Sequence, residues 1–222
     1  MDIDTLRAEL TQVADAQRAP QMAAYMRDQF PFLGVQAKQR RAAARPVMAA
    51  AKAATSARLF AFAAECWAQP EREFHYVACD VLGANTGRLE MHHIARLQRL
   101  ITTKSWWDTV DPLAAHTAGG IVAAHPGLVV VMDTWIDSDN FWLARTAILH
   151  QLRYGEDTDA KRLFAYAEAR AGDTEFFIRK AIGWALRQYA RVDPAAVRTF
   201  VAQHEDRLSG LTTREALKHL GR

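Results

Sequence analysis

The stretch "KSWWDTVDP", residues 104–112, sets Trp106 and Trp107 ahead of two carboxylates, Asp108 and Asp111, and closes on Pro112. Ser105 followed three residues later by Asp108 has the form of a capping box, which predicts a short helix and gives Asp108 a structural task. Pro112 disfavours helical geometry at Asp111 and suits the first position of a new helix, so Asp111 is expected to be the N-cap of "PLAAHTAGGIVAAH". That role alone would account for the residue. It also has a chemical consequence, because a carboxylate at a helix N-terminus is held ionised and fixed in place. Trp107, one turn earlier, shares that face, and an indole wall beside a fixed negative charge is a place for a cation. An ordinary core role also fits Trp107, with Trp106 the better core candidate because adjacent helical side chains diverge.

Aromatic and basic residues are interleaved elsewhere in the manner of nucleic-acid-binding faces. "NFWLARTAILHQLRY" places Trp142 and Arg145 at i, i+3, and "EFFIRKAIGWALRQY" carries Phe176, Phe177, Arg179, Lys180, Trp184 and Arg187 on one helix. Amphipathic helices with buried aromatics and solvated cations give the same pattern. The densest positive cluster is "YMRDQFPFLGVQAKQRRAAAR", with Tyr25, Arg27, Lys38, Arg40, Arg41 and Arg45 around a Pro/Gly turn. Other chemistries find little support. There is no HExxH motif and no phosphate-binding glycine loop, His92 and His93 are adjacent and splayed, and Glu90 with His93 reads as a solvated helix face. Cys66 and Cys79 have no zinc-type spacing and no activating basic neighbour, so inert reduced thiols are expected. No metal and no cofactor are expected.

The elements that must position these residues are helices. Leu6, Leu10 and Val13 recur at helical spacing, and alanine-rich segments follow; "GLVVVMD" is read as the start of a buried helix for want of a partner strand. "RTAILHQL" (145–152) aligns with "RKAIGWAL" (179–186) at an offset of 34 residues. A period in the thirties predicts an all-α fold of stacked HEAT-like antiparallel helix pairs, a right-handed solenoid with a concave groove, the alternative being a compact helical bundle with accidental similarity between segments. Gly119 and Gly120 would permit close helix packing. Half of the 222 residues are apolar, so a substantial core can form, and uniform composition predicts one domain over 1–222. The net charge of +3, with a pI near 9.0, allows a basic face. The acidic N-terminus does not read as a secretory signal, and the longest apolar run is too short for a bilayer, so a cytoplasmic protein without membrane contact is expected.

Together, "AYMRDQFPFLGV", "KSWWDTVD", "FWLARTAILHQL" and "EFFIRKAIGWALRQYA" resemble the signature segments of the AlkD-type DNA alkylation repair enzymes, over residues 20–220. The resemblance implies a bacterial base-excision glycosylase acting on duplex DNA that carries cationic alkylated purines, 3-methyladenine and 7-methylguanine, in the nucleoid-associated cytosol. It implies Asp111 as the catalytic aspartate, Trp107 and Trp184 as groove tryptophans, Arg145 as the groove arginine with Arg153 nearby as the other candidate, and Tyr25 as the N-terminal tyrosine. Phe176, Phe177, Arg179, Lys180, Lys38 and Arg41 complete the expected DNA-facing set. An alkylated purine is already a good leaving group, so an ionised Asp111 would stabilise the oxocarbenium-like sugar or orient water, without base insertion into a closed pocket. A monomer is expected because solenoid ends cap themselves. The competing reading is a non-catalytic HEAT-repeat binder of distorted DNA or of a protein partner.

Overall fold

The computed structural model describes residues 1–220, and among them every regular element is helical: no strand occurs. The all-α class expected from periodicity therefore holds. Packing gathers the chain into two compact units, Met1–Arg96 and a second beginning at Leu97.

The first unit contains α1 (Ile3–Gln12), α2 (Ala19–Tyr25), α3 (Ala37–Ala43), α4 (Arg45–Ala51), α5 (Ser56–Ala68) and α6 (Arg72–Gly83). Short polar residues start several helices, as at Asp2 and Thr55, whose side-chain oxygens accept from the amides of Thr5 and Arg58. The helices α5 and α6 pack through fully buried Leu59, Phe62, Ala63, Phe74, Val77 and Val81. Two charged side chains are buried with them. Arg72 lies 3.7 Å over the Phe30 ring and meets His75 Nδ1 at 3.1 Å. The Glu73 carboxylate accepts the amides of Leu33, Gly34 and Val35, each at 3.0 Å, and so clamps the loop between α2 and α3. Gly34 has φ +84°, and a Cβ there would stand 2.0 Å from the Asp15 carbonyl, so only glycine fits. Of the solvated face expected for Glu90 and His93, Glu90 is exposed as expected and His93 is not. His93 is fully buried, stacks on Phe60 at 4.8 Å and accepts the Glu90 amide, because Phe60 gives the ring an apolar partner.

Helix α7 (Ile94–Thr102) carries the chain across the unit boundary. Beyond it come α8 (Trp107–Pro112), a π-helical segment Leu113–Ala118, α9 (Gly119–Ala124), α10 (Val129–Trp135), α11 (Phe141–Leu149), α12 (Ala160–Ala169), α13 (Phe176–Tyr189), α14 (Pro194–Gln203) and α15 (Gly210–Ala216). "GLVVVMD" is helical as expected, entering α10 through a 3₁₀ turn, with Met132 and Trp135 buried and Val130 exposed. The sequence period reappears as a period in hydrogen bonding. Ser56 to Glu90, Asp111 to Arg145, Gly119 to Tyr154, Asp133 to Tyr166 and Lys180 to Glu215 are joined by side-chain bonds that span 33 to 35 residues. Each repeat thus holds its successor at equivalent places. Gly119 serves the close packing expected of it, since a Cβ there would come within 2.2 Å of the His150 carbonyl.

Candidate functional site

Two expectations about the "KSWWDTVDP" stretch fail. Ser105 does not cap the helix: its hydroxyl donates to the Ile101 carbonyl at 2.6 Å, closing α7, and Trp106 is the N-cap of α8. Asp111 does not start a new helix either, because α8 runs through Pro112 into the π-helical segment. Proline has no N–H for the Asp108 carbonyl, yet the chain continues through it into the π-helical segment, with the Leu113 amide donating to the Thr109 carbonyl. Asp111 therefore stands inside a helix, and the helix N-terminus is not what fixes its carboxylate.

Arg145, on α11, fixes it. Its Nε donates to Oδ1 of Asp111 at 2.7 Å and its Nη2 to Oδ2 at 2.8 Å, a bidentate pair, while Nη1 donates to the Phe177 carbonyl on α13. The Arg145 side chain is only 4% exposed, against 14% for Asp111, so the carboxylate is the part of the pair that reaches solvent. Burial pushes the Asp111 carboxyl above its ordinary value of 3.8, the Arg145 hydrogen bonds and charge oppose that, and the neighbouring Asp108 charge adds to it.

Asp111 opens into a cleft of about 440 Å³, lined on one side by Trp107, Phe176, Phe177 and Trp184. That volume lies within the range of about 300–1,000 Å³ usual for ligand sites. The remaining wall is ionic. Lys180 and Arg187, one face of α13, both donate to the Glu215 carboxylate, Lys180 at 2.6 Å, and Lys218 stands beside them. These cations hold the Glu215 carboxyl below its ordinary range. Four cationic and two anionic side chains line the cleft in all, so its net character is positive. Behind it, Trp106 packs edge-on to Phe177 at 5.2 Å and lies 6.0 Å from Trp142, an aromatic bed that supports the α8 and α13 walls.

Of the residues singled out in the sequence, the fold brings together Asp111, Trp107, Arg145, Phe176, Phe177, Lys180, Trp184 and Arg187. Arg179 is turned to another task, its Nε donating to the Asp173 carbonyl at 2.6 Å. Arg153 is exposed and outside the cleft lining. Tyr25, Lys38 and Arg41 line a different cleft, within the first unit. Glu215 and Lys218 were missed. The period could have found Glu215, because Lys180 and Glu215 are 35 residues apart, as Asp111 and Arg145 are 34 apart. Cys66 and Cys79 are buried and form no disulfide, and burial raises the Cys66 thiol, which keeps it protonated. Among the described residues no group of three or more His, Cys, Asp or Glu side chains could hold a metal ion. No helix among them is long and apolar enough to cross a membrane.

An all-helical repeat architecture with a cationic, tryptophan-walled cleft around a fixed carboxylate narrows the class, and comparison supplies the family. The chain belongs to the DNA alkylation repair enzyme family, whose pattern matches residues 6–220. It is similar to a solved structure described as "Predicted DNA alkylation repair enzyme from Enterococcus faecalis", with a TM-score of 0.88 and 30% sequence identity over 94% of this chain and 97% of that one. No curated protein matches it.

Proposed function

We propose that this protein is a DNA glycosylase that hydrolyses the N-glycosidic bond of cationic alkylated purines, 3-methyladenine and 7-methylguanine, in duplex DNA. The observation that carries the reading is the Asp111 carboxylate, held at both oxygens by Arg145 and opening between Trp107 and Trp184. A carboxylate repels phosphate, so a site made only to hold DNA gains nothing from one placed there.

The chemistry follows from charge. In an N3- or N7-alkylated purine the ring is already positive, so when the bond from the sugar C1′ to the base nitrogen breaks, its electron pair neutralises the leaving base. Protonation by a strong general acid is not required. The positive charge passes to the deoxyribose, as an oxocarbenium-like centre. Asp111 is the group in the cleft with a fixed negative charge toward that centre. Each of its oxygens takes one hydrogen bond from Arg145 and keeps a lone pair for the sugar or for the attacking water. Because Arg145 sets the orientation in advance, little reorganisation accompanies charge development. Trp107 and Trp184 would pack on the sugar and attract its developing charge. Lys218 would meet a flanking phosphate, with Lys180 and Arg187 held beside it on Glu215, and Arg145, with its donors engaged inside the protein, would act by orienting Asp111. The test is release of free 3-methyladenine and 7-methylguanine from methylated duplex DNA at neutral pH. Release in proportion to enzyme is expected, and duplex binding without release would leave the non-catalytic DNA binder.

A further inference from the structure

Every residue that lines the Asp111 cleft lies between Trp107 and Lys218, so the second unit supplies the whole of it. Its walls are indole and phenyl rings, and the rest of its lining is six charged side chains, with no amide or hydroxyl side chain among the described residues there. Five of the six charges are engaged with one another. Asp111 pairs with Arg145, and the two oxygens of Glu215 take Lys180 and Arg187. The sixth, Lys218, is exposed and enters no ion pair among the described residues.

This inventory limits what the cleft can recognise. Base edges are read by side chains such as Asn, Gln or an unengaged Arg, whereas here both arginines are held by carboxylates. What remains for a base is its face, against the rings, and its charge. Phosphate is read by cations, and one unengaged cation suits one phosphate. A nucleotide inside a strand carries a phosphate on each side, but a free nucleotide 5′-monophosphate carries one. The cleft volume of about 440 Å³ is that of a small-molecule site, and nothing in its lining depends on a complementary strand.

We propose that this cleft also hydrolyses free 2′-deoxynucleotide 5′-monophosphates of cationic alkylated purines, with base and sugar against Trp107 and Trp184 and the single phosphate on Lys218. The inference rests on the carboxylate chemistry proposed above and extends it from duplex to monomer. In 7-methyl-2′-deoxyguanosine 5′-monophosphate the C1′–N9 bond breaks and its electron pair passes to the cationic ring, which leaves as neutral 7-methylguanine. Water bonds to C1′ and gives up a proton, first to Asp111 and then to solvent, and 2-deoxyribose 5-phosphate remains. The 2′-deoxy sugar is specified because a 2′-hydroxyl withdraws electrons from C1′ and opposes the charge that forms there.

The test follows release of 7-methylguanine from that nucleotide, from its nucleoside without the phosphate, and from methylated duplex DNA, each against buffer alone. Wild type is expected to accelerate release from the nucleotide, Asp111→Asn to match buffer, and unmethylated 2′-deoxyguanosine 5′-monophosphate to stay intact. Nucleotide should be preferred to nucleoside in kcat/KM, and in Lys218→Ala that preference should shrink by roughly 1.5- to 5-fold, the range for loss of an exposed ion pair. Release from the duplex but not from the nucleotide overturns this inference and leaves the duplex glycosylase standing. Release from neither overturns both, and release from the nucleotide alone upholds the inference and counts against the duplex reading. Nucleotide release by Asp111→Asn equal to wild type would put the activity outside this cleft, and an unaltered preference in Lys218→Ala would overturn the phosphate contact.

Discussion

Replacing Arg145 by methionine isolates what holds the candidate site in place. The substitution keeps an apolar stem of similar reach and removes three donated hydrogen bonds, two to the Asp111 carboxylate and one to the Phe177 carbonyl. It leaves Asp111, 14% exposed, as a charge without its partner. Breaking a buried pair on one side costs about 3–5 kcal/mol, which for a chain of this size is a fall in Tm of roughly 6–20 °C. The deficit should depend on pH with a definite sign. Burial already raises the Asp111 carboxyl, and loss of the opposing guanidinium raises it further. The folded state then binds the proton more tightly than the unfolded state, so the part of the deficit due to the unpaired charge is recovered as pH falls through the raised value, completely below the ordinary value of 3.8, while the loss of the hydrogen bonds remains. Urea titrations at neutral and mildly acidic pH, on Arg145→Met, Asp111→Asn and the double variant, read both effects. The double variant should be more stable at neutral pH than Arg145→Met alone. A single-variant cost under about 1 kcal/mol, or strictly additive costs, would refute the account of the pair.

Three further outcomes follow from the same structure. The acid limb of alkylpurine release should be centred above pH 3.8, since the proposed mechanism uses the Asp111 carboxylate and burial raises it; a limb at or below that value would assign the limb to another group. Glu215→Gln should free Lys180 and Arg187 for phosphates and steepen the salt dependence of duplex binding by roughly one to two units of log–log slope, whereas an unchanged or shallower slope would show that Glu215 presents these cations to DNA instead of competing for them. His150 is buried and pushed down to about 4, so the neutral ring favours the fold; stability should be complete above pH 6.5 and fall as pH drops from 6.5 to about 4, by roughly 3 kcal/mol. His150→Gln should flatten that slope in acid unfolding curves, and an unaltered slope would place the sensitivity elsewhere.

Much of this was legible in the sequence because it depends on short-range geometry and on the repeat. Trp107 and Asp111 share a cleft for the reason their spacing suggests, one helical turn, and the 34-residue offset that aligns "RTAILHQL" with "RKAIGWAL" is also the span of the Asp111–Arg145 pair. The local rule failed at Pro112. An Asp–Pro step ordinarily begins a helix, but here α8 continues through it into the π-helical segment, and Arg145 from the next repeat fixes the carboxylate. Arg179 and Lys180 are neighbours in sequence and lie about a quarter-turn apart on α13, so only Lys180 reaches the cleft. Glu215 was hidden because it arrives by the docking of α15 on α13. Gly183 makes that approach possible, since a Cβ there would stand 2.5 Å from Glu215 Cβ and 2.9 Å from the Thr212 carbonyl, and a lone glycine inside a helix does not announce what it faces.

The central claim is that Asp111 carries the chemistry. It is tested most directly by release of 7-methylguanine from methylated duplex DNA by wild type and Asp111→Asn at equal concentration, with duplex affinity measured on the same preparations. The account predicts release by wild type, loss of release in Asp111→Asn, and nearly equal affinity for the duplex. Equal release by both proteins would contradict it, because the carboxylate between Trp107 and Trp184 would then hold Arg145 in place and do no more.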